Sequence, residues 1–309
     1  RQGATAEERI AYQVEVLGLD QVVEVNVDVL RPTEGVSWRT WHEGDLLHKA
    51  YTTPAGELHA SVKFNDLWAH GEDIPLMSDF NVGHFVKPWV QNEQDLECLK
   101  HVMRLDDSGR AIERSREEFA AARKLAERYG LAISGSAGNG MTGQMQMFGA
   151  EPLCLMVHEN PGLVDAYLEH EHRINLRRIE VLGELGADIV GRNGFYETAD
   201  FYGPRMLESF LGARLRREAD AAHAAGMSSR YLVHTGVMPI LDYLASLSAD
   251  SIFGIDTGFH GVNLERIRDR LGDKRSFWIG PSSTYHLWRG PEATRQAVRP
   301  TTRASWASS

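Results

Sequence analysis

Cysteine is almost missing from this chain: 309 residues contain two, Cys98 and Cys154. Both fall in sequence that reads as helix. Neither belongs to a CxxC pair, so a disulfide framework is excluded and a reducing cytoplasm is the expected compartment. No run of about 18 apolar residues occurs, which leaves no candidate for a membrane span, and no charged-then-apolar leader opens the sequence. The first residue is Arg1 rather than Met, as in a processed product or a fragment. Positive charge is also scarce. Lys and Arg number 33 against 43 Asp and Glu, a formal net charge of −10, so a phosphate backbone is repelled and no nucleic-acid partner is expected. No low-complexity or Ser/Pro-rich linker divides the chain, which points to a single domain over residues 1–309. No GxGxxG follows the first apolar run, and the glycine-rich stretch 134–143 lacks the Gly-Lys-Ser/Thr ending of a P-loop.

Short apolar runs alternating with long amphipathic segments are present, the pattern of repeated strand–helix units around a parallel sheet. Six strands are expected, at residues 22–30, 131–136, 188–192, 231–235, 251–256 and 276–280. Asn160-Pro161 opens a long helix that ends before Gly186, with Leu163, Tyr167, Ile174 and Leu182 on its buried face. Residues 92–103 and 108–129 are two further helices. Residues 36–64 alternate aromatic and polar side chains around the turns Glu43-Gly44-Asp45 and Pro54-Ala55-Gly56, and form an antiparallel excursion after the first visible strand. Periodicity alone leaves a doubly wound sheet and an eight-stranded barrel both open.

Polar residues gather where the strands end. Loops converge at the carboxyl ends of parallel strands, which makes that face the expected active one. Asp28 ends the first strand, Asn139 follows the second, and Asn193, Tyr196, Glu197 and Asp200 follow the third. His234 ends the fourth, Asp256 and His260 the fifth, and Ser282, Ser283, Tyr285 and His286 follow the sixth. Each has a plainer reading. His234 is either a ligand or catalyst, or a buried histidine donating to a carbonyl. Asp256 before Thr257-Gly258 could open an Asx turn, and Glu197 and Asp200 could cap the helical turn at 204–210. Asp28 inside an apolar strand calls for a partner, because a lone buried carboxylate is costly. His158, His170 and His172 fall on a charged helix face and read as solvated.

The ordered segments DQVVEVNVDVL (20–30), LAISGSAGNGMTGQMQMFG (131–149), GADIVGRNGFYETADFYGPRMLESFL (186–211), YLVHTGVMPILDYLASLSADSIFGID (231–256) and SFWIGPSSTYHLWRGPEATRQAV (276–298) together resemble the uroporphyrinogen decarboxylase superfamily. That superfamily is a barrel of eight strand–helix units and includes the decarboxylases of haem synthesis and cobamide-dependent methyltransferases. YTTPAG at 51–56 and NEQDLECL at 92–99 look more like the methyltransferase branch, the methylcobamide:coenzyme M type. The resemblance implies an α/β fold, a TIM (β/α)8-type barrel incomplete at both ends, with the antiparallel insertion at 36–64 and an irregular tail at 299–309. The exposed edges at such a gap would favour a homodimer.

Asp28 matches the decarboxylases' catalytic aspartate, but their arginine-bearing strand would precede Arg1, and Met145 or Gln146 stands near the place of their tyrosine. The methyltransferases hold zinc with a His-x-Cys pair and a later cysteine. His234 matches the histidine, Gly236 stands where the thiolate would be, and no cysteine follows Cys154. A zinc ion would then need His234 together with Glu197 or Asp256. The resulting expectation is an enzyme transferring a methyl group between a corrinoid, carried by a partner protein, and a small acceptor. Asp28, His234, Glu197 and Asp256 are its candidate catalytic residues. Asn139, Asn193, Tyr196, His260, Tyr285 and His286 are its candidate binding residues. The alternatives are a carboxy-lyase acting on a tetrapyrrole or smaller acid, and a non-catalytic binder of a tetrapyrrole or corrinoid.

Overall fold

A computed structural model describes residues 5–77, 84–106 and 108–303. In chain order its strands are β1 (Val22–Val25), β2 (Ser37–Glu43), β3 (Leu46–Thr53), β4 (Gly56–Lys63), β5 (Phe85–Lys87), β6 (Ala132–Gly138), β7 (Ile189–Asn193), β8 (Ser228–Leu232), β9 (Ser251–Asp256) and β10 (Ser276–Gly280). The chain divides into two compact units of discontinuous sequence. One comprises residues 1–28, 108–138 and 175–309, the other residues 29–107 and 139–174.

The first unit holds a six-stranded sheet in the order β1-β6-β7-β8-β9-β10, parallel throughout. That order never reverses. Right-handed crossovers that always advance in one direction place every connecting helix on the same face, so this sheet follows barrel topology and not the doubly wound alternative. Its opposite face is concave: Arg230 of β8 reaches Glu24 of β1 at 3.2 Å across the two intervening strands. On a flat sheet those positions would stand about 14 Å apart. Closure is not reached, since β1 and β10 each have one partner strand among the described residues.

On the convex side the helix Pro161–Leu185, which ends in this unit, lays Leu182 directly on Gly135 of β6. A Cβ there would stand 2.3 Å from Leu182 Cδ2, so only glycine lets the helix approach this closely. Gly186 follows in the left-handed conformation, φ +80°, as its place past the helix end suggested.

The second unit is built on the antiparallel excursion, β2-β3-β4-β5 in sequence order. Thr53 pairs with Gly56 and Glu43 with Leu46, so both expected turns are two-residue hairpin loops. Leu47, Ala50, Leu58, Ala60 and Val62 are buried, as are Leu96, Cys98 and Leu99 of the helix Glu93–Val102. The helix Gly140–Phe148 is buried along its whole length, so Met141, Met145 and Met147 are core. Trp41 stacks on His48 and His59 at 5.0 and 5.3 Å, and His48 Nδ1 lies 3.0 Å from His59 Nε2. Burial and the nearby Lys87 ammonium lower the His59 pKa.

Four expectations are corrected. The first strand ends at Val25, and Asp28 is exposed beyond it, so its carboxylate is not buried inside a strand. The strand before His234 ends at Leu232, three residues earlier than the expected end at Thr235. His172 is 2% exposed and His170 Nε2 donates to the Met103 carbonyl at 3.0 Å, so neither is a solvated surface histidine; His158 is exposed. Residues 299–303, expected to be irregular, belong to the helix Pro291–Arg303, and residues 304–309 lie outside the described ones. No helix among the described residues is long and apolar enough to cross a membrane.

Candidate functional site

The loops after β7, β8 and β9 are laced to one another by main-chain hydrogen bonds. Gly194 N donates to Leu232 O at 2.9 Å, Ala199 N to Gly236 O at 3.2 Å, and Asp256 N to His234 O at 3.0 Å. The His234 ring, half-buried, stacks on Phe195 with centroids 5.1 Å apart and planes inclined by 20°. Backbone and ring plane are therefore both held. Burial lowers the His234 pKa from 6.5, opposed by the neighbouring Asp256 carboxylate, so the imidazole is neutral at physiological pH.

Gly236 is the residue that makes the lacing possible. Its φ is +56°, and a Cβ would lie 2.7 Å from the Asp200 main-chain nitrogen. We expect Gly236→Ala to cost about 1–3 kcal/mol in chemical denaturation, because neither the strained dihedral nor the backbone contact can relax without moving both loops. An unchanged denaturation midpoint would show that these loops are not coupled.

His234 opens on a cleft of about 570 Å³ within the first unit, a size suited to a small organic ligand. Asp20, Phe253, Asp256, Trp278 and Ser282 also line it. Asp256 is held by two bonds: its Oδ1 accepts from Gly258 N at 2.8 Å and its Oδ2 from Ser282 Oγ at 2.7 Å. The first bond is the Asx turn that the sequence offered as the plainer reading. Ser282 Oγ also accepts from Tyr285 N at 3.1 Å, and Ser282 N donates to His286 Nδ1 at 3.0 Å. An accepting Nδ1 places the proton of a neutral His286 on Nε2. Ser282 and His286 therefore shape the rim around Asp256, and the serine hydroxyl points to the aspartate and not to an imidazole.

The other candidates lie apart from the cleft lining. Glu197 is fully buried, 2.6 Å from the Tyr231 hydroxyl that donates to it and 3.5 Å from Arg192, which also holds Glu218 at 3.1 Å. It belongs to a polar network against the helix Ala213–Ala224 and caps no helix, because Gly203 is the residue before Pro204–Leu207. Burial and the Glu197 charge push both Tyr231 and Tyr243 far up, so both stay protonated. Asn193 Nδ2 reaches Ser136 Oγ at 3.4 Å, and Tyr196 packs edge-on against Phe201. Asp28 is exposed, with its main-chain oxygen accepting from Arg114. His260 and Tyr285 are exposed. Asn139 belongs to the second unit, where its N–H donates to Glu171 Oε1 at 2.9 Å.

Zinc can be tested against these donors. His234 and Asp256 share the cleft, but the Glu197 carboxylate is committed to Tyr231 and Arg192. Among the described residues no group of three or more His, Cys, Asp and Glu side chains could hold a metal ion. Two donors fall short of the three or four that a zinc site takes, so the set does not fit a protein-held zinc ion.

Sequence reasoning missed Asp20, Phe195, Phe253 and Trp278. Asp20 precedes β1, so a search of strand carboxyl ends passes it by. Phe253 and Trp278 sit in largely apolar strands, where nothing marks which side chains face the open side of an incomplete barrel. Phe195, between Gly194 and Tyr196, carries no titratable group.

No protein-family model matches the chain, and no curated protein does. Solved structures give partial matches. One is a methyltransferase from Methanosarcina mazei, with TM-score 0.47 and 14% identity over 66% of this chain and 55% of that chain. A D-allulose 3-epimerase from Methylomonas sp. has TM-score 0.38 and 17% identity, covering 62% of this chain and 74% of that one. A xylose isomerase-like TIM barrel protein from Mycobacterium smegmatis has TM-score 0.30 and 15% identity, covering 57% and 56%. The match thus spans little more than half of the methyltransferase's length.

Proposed function

We propose that the chain is a methyltransferase-like enzyme of the barrel class, moving a methyl group between a cobamide held by a carrier protein and a small acceptor seated in the first unit's cleft. The observation that carries the reading is His234. It is a half-buried imidazole, neutral by desolvation, locked by Phe195 and facing a cleft of about 570 Å³ beside the Asp256 carboxylate. Such a group is a general base. The carrier's cobamide supplies the methyl group. His234 takes a proton from the acceptor's nucleophilic atom, and Asp256 stabilises the imidazolium that results. The acid–base pair does the work that a metal-held thiolate would do elsewhere. Asp28, the anchor of a decarboxylase reading, is exposed and absent from the cleft lining, so nothing in its placement favours that alternative.

The test is turnover of methylcobalamin with a panel of small thiols, amines and phenols, followed by loss of its visible absorption. Transfer to at least one acceptor supports the reading, with a rate that is flat at neutral pH and falls only on the acid side of the ordinary imidazole value of 6.5, because burial lowers the His234 pKa. Spectral change without turnover would instead identify a non-catalytic corrinoid binder. The same lowered pKa has a consequence for stability. The unfolded histidine takes its proton first, so folding carries no penalty from His234 above pH 6.5 and loses stability as pH falls toward the native value.

A further inference from the structure

The cleft wall is aromatic and acidic. Phe253 and Trp278, neighbours on β9 and β10, meet edge to face with ring centroids 5.6 Å apart, and Trp278 remains 41% exposed. Asp20 and Asp256 supply two carboxylates, and among the described residues the lining contains no lysine or arginine. A nearby cation shows what these rings accept. The Arg230 guanidinium carbon lies 5.2 Å from the Phe253 centroid and 5.6 Å from that of Trp278, while its Nη2 is tied to Glu24 and Ser134 at 3.2 Å each. Ring faces carry negative potential, and both rings are already oriented by a cation on the concave surface.

We propose that the small molecule taken by this cleft is an organic ammonium ion, an amine together with its N-methylated product, held by Trp278 and Phe253 and by the Asp20 and Asp256 carboxylates. The proposal rests on the methyl-transfer reading for its reaction but not for its binding. In that reaction the amine lone pair forms the new nitrogen–carbon bond. The cobalt–carbon bond of the methylcobamide breaks with its electron pair left on the corrinoid. Nitrogen gains positive charge as the bond forms, so carboxylates and ring faces aimed at it favour the transition state over a neutral amine. An amine that arrives protonated first gives its proton to His234. Neither an oxidant nor a reductant is consumed.

Binding is measurable without any corrinoid. Choline and its neutral isostere 3,3-dimethylbutan-1-ol have nearly the same shape and differ in charge, so titration of the whole chain by calorimetry and tryptophan fluorescence isolates the cation's contribution. Choline should bind at least about 10-fold more tightly than the alcohol, and Trp278→Leu should weaken choline by about 3- to 30-fold with little effect on the alcohol. Asp20→Asn, on an exposed residue whose loss should not disturb folding, should weaken choline a few-fold and less so at high salt. Trp288→Leu, exposed and outside the lining, serves as the control and should change nothing. Equal affinity for the two probes, or choline binding indifferent to both Trp278→Leu and Asp20→Asn, overturns the proposal. The two readings fail separately. Methyl transfer to thiols without cation selectivity leaves the enzyme and removes the ammonium substrate, whereas selective choline binding without transfer to any acceptor does the reverse.

Discussion

Arg192→Met is expected to lower the stability of the first unit by about 3–5 kcal/mol in urea or guanidinium denaturation. The wild-type guanidinium is shared by two carboxylates, Glu197 at 3.5 Å and Glu218 at 3.1 Å, all three side chains being nearly inaccessible. Methionine fills much of the volume but leaves two buried carboxylates without their shared cation, and a buried charge without its counter-ion is the costly case. The pH dependence gives the mechanism a signature. Without the cation, at least one glutamate holds its proton more tightly in the native variant than in the unfolded chain. Such a group stabilises most below the ordinary carboxylate range, and that contribution is lost as pH rises through its raised native value. The deficit against wild type should therefore be smaller at pH 5 than at pH 8. A loss under about 1 kcal/mol, or one independent of pH, would mean that the network reorganises around the missing charge.

His234→Gln should separate chemistry from folding. Glutamine keeps a polar, planar end group beside Phe195 but cannot take a proton, so methyl transfer should fall by about 10²- to 10⁴-fold, the range that a positioned general base supplies. The denaturation midpoint at pH 7.5 should stay nearly unchanged, because the native imidazole is neutral there and accounts for no buried ion pair. The acid limb below pH 6.5 should vanish along with the rate, since the group that titrates has gone. A variant that retains both rate and pH profile would exclude His234 as the base.

Much of the architecture was legible because it rests on periodicity. The six apolar runs each became a strand of one parallel sheet, and the alternating stretch at 36–64 became three strands of an antiparallel one. Asn160-Pro161 and Gly186 bracketed their helix because a cap and a left-handed glycine act locally. The site was only partly legible. His234 and Asp256 were singled out because loops at strand carboxyl ends converge, and both line the cleft. The same rule overreached at Glu197. A glutamate just past a strand looks available from its position, yet it lies buried beneath its loop, where Tyr231 and Arg192 claim it. Asp28 misled for a different reason. Val27 and Val29 are buried on either side of it, so the alternation reads as continuing strand although the ladder stops at Val25. Trp278 was invisible as a site residue because an apolar strand in a closed barrel and in an open one have the same sequence pattern.

The edge position of β1 has a consequence for how the chain acquires its structure. Among the described residues β1 pairs with β6 alone, Val22 opposite Ala132, so that ladder waits for a segment about 110 residues downstream. At roughly 5–20 residues per second of synthesis, that wait lasts about 5–20 s. The antiparallel unit, whose hairpins close over two residues each, has its sheet-forming segment complete within that interval. Residues 20–30 thus emerge from the ribosome well before β6 and dock late, and during the interval they are an unpaired apolar strand for which a chaperone, or another nascent chain, can compete.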